Sequence, residues 1–203
     1  MKSIAAIVVL ILIAAGSAYA QTVDFFKLVK TETPQAIQAA INQGLDPNAQ
    51  DNDGLTPLMW AAERNQNPEV TTTLLKAGAD VKAVDKNGET ALMHAAGHNQ
   101  NPELITTLLK AGADVKAADK DGETALMHAA ASSQENLDVI NALLKAGAAV
   151  NARSKGGWTS LMGAAALNPN PEAITTLLTA GRTRRREATR KSQQLITPGR
   201  TRN

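Results

Sequence analysis

An all-α solenoid of stacked helix pairs is the fold class that this 203-residue sequence predicts, on three observations. The first is a repeat. Gly54-Leu-Thr-Pro-Leu-Met-Trp-Ala-Ala62 returns as Gly88-Glu-Thr-Ala-Leu-Met-His-Ala-Ala96, Gly122-Glu-Thr-Ala-Leu-Met-His-Ala-Ala130 and Gly157-Trp-Thr-Ser-Leu-Met-Gly-Ala-Ala165, at offsets of 34, 34 and 35 residues. The second is an independent marker, Leu-Leu-Lys-Ala-Gly-Ala, that keeps step from Leu74, Leu108 and Leu143, with a reduced form from Leu177 to Gly181. Self-similarity at one period marks units that stack, since no single unit can bury its apolar face alone. The third is composition: at 2% aromatic the chain has little with which to fill the strands of a sandwich or barrel.

In chain order, residues 1–20 are expected to be a secretory signal. Lys2 supplies a positive start, Ile4 to Ala15 form twelve unbroken apolar residues, and Ala18-Tyr19-Ala20 is a small-x-small cleavage pattern, so the mature chain is expected to start at Gln21. Twelve residues span about 18 Å as a helix, short of a hydrocarbon core of roughly 30 Å, which argues against a stable membrane insertion. The chain has no cysteine, which removes a lipoprotein anchor together with disulfides, thiol nucleophiles and cysteine-ligated metals. The expected location is the periplasm or the secreted space.

Residues 21–46 read as an N-terminal capping repeat without a finger. Phe25, Phe26, Leu28 and Val29 belong to a short first helix, and Pro34 to Asn42, with Ile37, Ala40 and Ile41, to a second closed by Gly44. Four repeats follow, over residues 47–80, 81–114, 115–149 and 150–181. In each, a threonine such as Thr56 caps a first helix, with Pro57 at its first position and Leu58, Ala61 and Ala62 on one face. Asn67-Pro68-Glu69 opens a second helix by the same logic, Val70, Leu74 and Leu75 form its apolar face, and Gly78 ends it. Asn101-Pro102-Glu103 and Asn170-Pro171-Glu172 repeat this start, while the Ser132–Asn136 loop is longest and lacks the proline. Asp53-Gly54, Asn87-Gly88 and Asp121-Gly122 suit tight turns and predict a projecting hairpin finger between units. Helices of about nine residues are too short to be stable alone in water, so stacking must hold them. Residues 182–203 are expected to be a basic, disordered tail, with a short Glu187 to Ile196 helix that partly caps the last repeat through Leu195 and Ile196 as the alternative.

Asp51-Asn-Asp-Gly-Leu-Thr-Pro-Leu-Met-Trp-Ala-Ala62, Leu74-Leu-Lys-Ala-Gly-Ala-Asp-Val81 and Val150-Asn151 resemble the signatures of the ankyrin-repeat family, and the resemblance covers residues 22 to 181. It implies antiparallel helix pairs with β-hairpin fingers at right angles, used for binding other proteins. Three departures stand out. The family's histidine becomes Met59, Met93, Met127 and Met162, which removes the hydrogen bond implied from that histidine to the next hairpin. The family's Gly-His between helices becomes Asn-Gln-Asn-Pro, which lengthens the period by one residue. The last hairpin is missing after Gly181.

Catalytic groups are not expected. Ser154, Ser160 and Ser192 lie in no nucleophile-elbow pattern, and Gly156-Gly157 is too isolated for a phosphate loop. Asp51-Asn52-Asp53-Gly54 and Asp119-Lys120-Asp121-Gly122 look like fragments of a calcium loop without its closing glutamate, so turn chemistry accounts for them better. His94 and His98, four apart on one helix, could share a metal ion, with His128 one repeat further on. No carboxylate is expected on that face at matching spacing. The preferred reading therefore places His94 and His128 in a column with Trp60 and leaves His98 solvated, with no metal and no cofactor.

Charge is unevenly spread. Residues 21–181 carry 12 basic and 18 acidic side chains, a net −6, whereas residues 182–203 carry eight basic side chains against Glu187, a net +7. Such a tail suits an anionic surface. With no aromatic residue between its arginines, it lacks the stacking groups of a nucleic-acid arm.

The function expected is a non-catalytic protein-binding module, with an accessory or immunity-like inhibitor of an envelope enzyme or toxin as the alternative. A metal-binding module through His94 and His98 ranks third. Recognition is expected at positions that vary between near-identical copies. On the fingers these are Asn52, Asp53, Leu55, Lys86, Asn87, Glu89, Lys120, Asp121, Glu123, Lys155 and Trp158; on the first helices they are Trp60, Glu63, Arg64, His94, His98, His128 and Leu167. Trp158 has two open readings, as an interface anchor beside Arg153 and Lys155 or as a cover for Leu177 and Leu178.

Overall fold

The computed structural model describes residues 25–31, 33–132 and 136–196. The signal segment, its cleavage site and residues 133–135 of the long loop lie outside the described residues. Five helix pairs follow one another: α1 (Phe25–Thr31) with α2 (Pro34–Asn42), α3 (Pro57–Arg64) with α4 (Pro68–Lys76), α5 (Ala91–His98) with α6 (Pro102–Lys110), α7 (Ala125–Ala131) with α8 (Leu137–Lys145), and α9 (Ser160–Leu167) with α10 (Pro171–Ile196). This is the expected cap plus four repeats, and no sheet forms among the described residues.

The helix starts obey local chemistry. Asn67, Asn101 and Asn170 accept the backbone N–H of Glu69, Glu103 and Glu172 at 2.9 Å. Thr56 Oγ1 accepts the Met59 N–H at 3.3 Å while Met59 Sδ accepts the Thr56 N–H at 3.4 Å, and Thr90 with Met93 repeats this reciprocal pair. Met59 and Met93, two of the four methionines that replace the family's histidine, thus close the N-terminus of their own helix, whereas the expected Thr124 cap makes no side-chain bond. At the other end of α4, Gly78 takes φ 93°, which lets the Ala79 N–H reach back to the Leu74 carbonyl at 3.0 Å.

First helices pack on first helices and second on second, and the first-helix row is in closer contact. The reason is the small Ala-Ala pair: Ala61, Ala62, Ala95, Ala96, Ala129 and Ala130 are all fully buried. Second helices bury one stripe, for example Leu104, Ile105 and Leu108 on α6. Between units the backbone is stitched by buried asparagine. Asn65 Nδ2 donates to the Val29 carbonyl at 2.9 Å, and Asn99 Nδ2 donates to the Ala62 and Asn65 carbonyls at 3.2 and 3.1 Å. Asn168 Nδ2 reaches the Ala130 carbonyl at 3.3 Å. The departure Asn-Gln-Asn-Pro therefore serves two purposes: its second asparagine caps a helix and its first ties helix ends across the repeat boundary.

Two expectations change. The fingers are tight turns with single bridges, Val84 to Thr90 and Ala118 to Thr124, instead of full hairpins. At the C-terminus, Gly181 does not end a helix and the basic segment is not a disordered tail through Ile196, because α10 runs on across it. Gly181 is not among the positive-φ glycines, no finger sequence follows it, and the Arg, Glu, Ala and Lys of residues 182–191 are strong helix formers. Arg184 anchors the extension by donating to the Gly147 carbonyl at 3.4 Å, at the end of α8.

Candidate interaction surface and its buried charge ladder

The first three fingers are each built around an aspartate. Asp51 Oδ1 accepts the N–H groups of Asp53 and Leu55, both at 2.9 Å, which shapes the turn that Gly54 completes at φ 84°. A Cβ on Gly54 would lie 3.1 Å from the Lys86 nitrogen of the next finger. That close approach lets Lys86 N–H donate to the Asp53 carbonyl at 3.0 Å, and the same link joins Lys120 to Asn87 and Lys155 to Asp121. Asp85 and Asp119 shape the second and third turns in the same way, and Ser154 Oγ replaces the carboxylate in the fourth.

The free oxygen of each aspartate meets the side chain nine residues later. Asp51 Oδ2 accepts from Trp60 Nε1 at 2.8 Å, while Asp85 Oδ2 lies 3.2 Å from His94 Nε2 and Asp119 Oδ2 3.3 Å from His128 Nε2. The fourth repeat has Ser154 and Gly163 at this spacing and forms no such pair. Lys30 lies 3.4 Å above the Trp60 ring, a cation–π contact from the cap.

His94 gathers three carboxylates: Glu63 at 3.6 Å on Nδ1, with Asp85 at 3.2 Å and Glu89 at 3.8 Å on Nε2. Glu89 also reaches His128 Nε2 at 3.6 Å, and Arg64 clamps Glu63 at 2.8 Å. Burial pushes the His94 pKa down, but Glu63, Glu89 and Asp85 together outweigh it and hold the pKa above its ordinary value. The hydrogen bond from His94 draws the Glu63 carboxyl below its ordinary range against the cost of burial, helped by Arg64, His98 and the charge of His94.

Against the sequence expectation, carboxylates do share the histidine face. They come from the preceding finger and the preceding helix, and the nine-residue Asp–His interval, repeated twice, was the signal that could have found them. His94 and His98 do not converge: His98 is exposed and its Nδ1 lies 3.3 Å from the His94 carbonyl. Glu63 and His94 are buried in each other's company, whereas Asn52, Asp53, Arg64, Lys86, Asn87, Lys120, Asp121, Lys155, Trp158 and Leu167 are exposed. Leu55, Trp60, Glu89, Glu123 and His128 are intermediate.

The last repeat differs from the others. Among the described residues, five large apolar side chains stand well exposed, and four of them, Trp158, Met162, Leu167 and Leu178, lie here. Leu178 also lines an open groove, with Val150, Leu161 and Leu177 and together with Arg153 and Arg182. Trp158 does not line that groove, and Leu177 is 2% exposed.

An array of helix pairs linked by turn fingers, with varied side chains on its tips, defines a repeat protein of the interaction class. The family description Ankyrin repeats (3 copies) matches residues 25–119 and 96–186, and the chain belongs to the ankyrin-repeat family. No curated protein matches the sequence. The family generally mediates protein–protein interaction and is typically non-catalytic. Among the described residues, no helix is long and apolar enough to cross a membrane.

Proposed function

We propose that this chain is an exported, non-catalytic binding protein that holds another protein in the periplasm or the secreted space through its fingertips and its last repeat. The observation that carries the reading is the exposure of four large apolar side chains within residues 158–178, of which Leu178 lines a groove together with Arg153 and Arg182. Exposed apolar surface edged with charge is what an interface core and rim require. The arginines favour a partner whose facing surface is acidic. The signal-like residues 1–20 support an envelope destination. A partner that is an envelope enzyme or toxin would lose activity on binding, which is the inhibitor form of the same role.

Copurification from periplasmic extract with the wild-type chain and with Leu167→Glu as baits tests the reading. A protein retained by the first and lost by the second, with both baits equally folded by circular dichroism, is the expected result. Equal retention would move recognition to the earlier fingers. Amino-terminal sequencing of the expressed protein should begin at Gln21; intact Met1 in the membrane fraction would defeat the export assignment.

A further inference from the structure

The charge ladder inside the fingers has more acid than its neighbours balance. Among the described residues, the ion pairs of Glu63, Asp85, Glu89 and Asp119 run to His94, His128 and Arg64, so two imidazoles stand among four carboxylates. The fingertip lysines make no ion pair with this cluster: Lys86 Nζ donates to the Asn52 carbonyl and Lys120 Nζ to the Lys86 carbonyl. On each ring one nitrogen faces two carboxylates. A single N–H on His94 Nε2 faces both Asp85 and Glu89, and a single N–H on His128 Nε2 faces both Glu89 and Asp119.

We infer that these residues form a pair of adjoining sites for divalent first-row transition metal ions, His94 with Asp85 and Glu89, and His128 with Glu89 and Asp119. In each triad the three ligand atoms lie within 4.8 Å of one another. A tetrahedral ion with bonds of about 2.0–2.1 Å sets its ligand atoms roughly 3.3 Å apart. The nitrogen–oxygen separations here are 3.2 and 3.8 Å in one triad and 3.6 and 3.3 Å in the other, so small side-chain shifts close both. Glu89 gives Oε2 to one ring and Oε1 to the other, the role of a bridging carboxylate. One imidazole nitrogen with two carboxylate oxygens suits zinc-like ions better than calcium or magnesium.

The two sites are not equivalent. Glu63 lies behind His94 Nδ1 and favours the tautomer that turns a bare Nε2 toward the ion, the usual carboxylate support of a ligating histidine. The corresponding position behind His128 is Gly97, which has no such group. The His94 site is therefore the tighter one.

The test is calorimetric titration of the untagged, chelator-stripped protein with Zn²⁺, alongside visible absorption with Co²⁺. Expected are two ions per chain, one tight and one weaker, with tetrahedral Co²⁺ bands. Glu89→Gln should weaken both sites, and Glu63→Gln should weaken the tight one by about 10–100-fold. Asp119→Asn should remove only the weaker, which keeps the test open should Glu89→Gln fail to fold. His98→Ala should change nothing. Absence of binding overturns the inference, as does binding that survives Glu89→Gln and Asp119→Asn but disappears with His98→Ala.

Discussion

Met93 and Met162 occupy the same place in the same motif, yet the first is 1% exposed and the second 49%. The difference is the neighbour. Met93 lies on α5, which packs between α3 and α7, whereas α9 has α7 on one side and no described first helix on the other. The N-terminal end of the stack shows the opposite solution: α1 buries Phe25, Leu28 and Val29 and sets Lys30 over Trp60. An apolar pattern thus states what a helix is able to bury, and the next unit decides whether it does.

The largest effect should separate the middle of the stack from its end. Leu108 is fully buried on α6, so Leu108→Ala should cost about 2–5 kcal/mol through lost transfer energy and an unfilled cavity. Leu178 is 40% exposed on α10, and Leu178→Ala should cost well under half as much, since water already reaches the site. Urea melts of both variants check the pair. Equal midpoints would break the comparison.

A smaller contrast comes from the asparagines. Asn99→Ala leaves two carbonyls without their donor in a buried setting and should cost about 1–3 kcal/mol, whereas Asn168, only half-buried near the open end, should cost less. Thermal melts would rank them. Lys86→Ala, at an exposed fingertip, should stay within about ±0.5 kcal/mol because its backbone link to Asp53 survives.

The sequence was legible where a residue acts on its own backbone. Thr56, Asn67-Pro68-Glu69 and Gly78 announce helix starts and stops because their partners lie within one turn, and the structure has them there. It was less legible where the partner lies beyond a turn. The histidines were compared with one another along a helix, while their carboxylates sit nine residues upstream on a finger or on the previous helix. Asn65 and Asn99 stand in the sequence only as part of the Asn-Gln-Asn-Pro stretch between helices, yet they are buried because each serves a carbonyl one repeat back. Gly181 carries the same Ala-Gly signature as Gly78 and still lies inside a helix, because a glycine stop needs a following strand or turn to receive the chain.

The smallest effect on folding, and the sharpest on binding, is expected at Trp158. It stands where Leu55, Glu89 and Glu123 stand in the other copies, and those three are all partly covered by their surroundings whereas Trp158 is 51% exposed. Its ring passes the Gly156 position, where a Cβ would sit 3.5 Å from Trp158 Cδ1, and its backbone N–H is already held by Ser154 Oγ at 3.2 Å. The turn therefore does not depend on the indole. Trp158→Ala should move the urea midpoint very little. If the indole enters a pocket on the partner, as the proposed surface requires, the same substitution should cost 2 kcal/mol or more of binding, roughly thirtyfold in Kd. Calorimetry against the captured partner, run beside the melt, separates the two quantities. A lowered midpoint with unchanged affinity would make the tryptophan a cover for the open end of the stack and leave recognition to the earlier fingers.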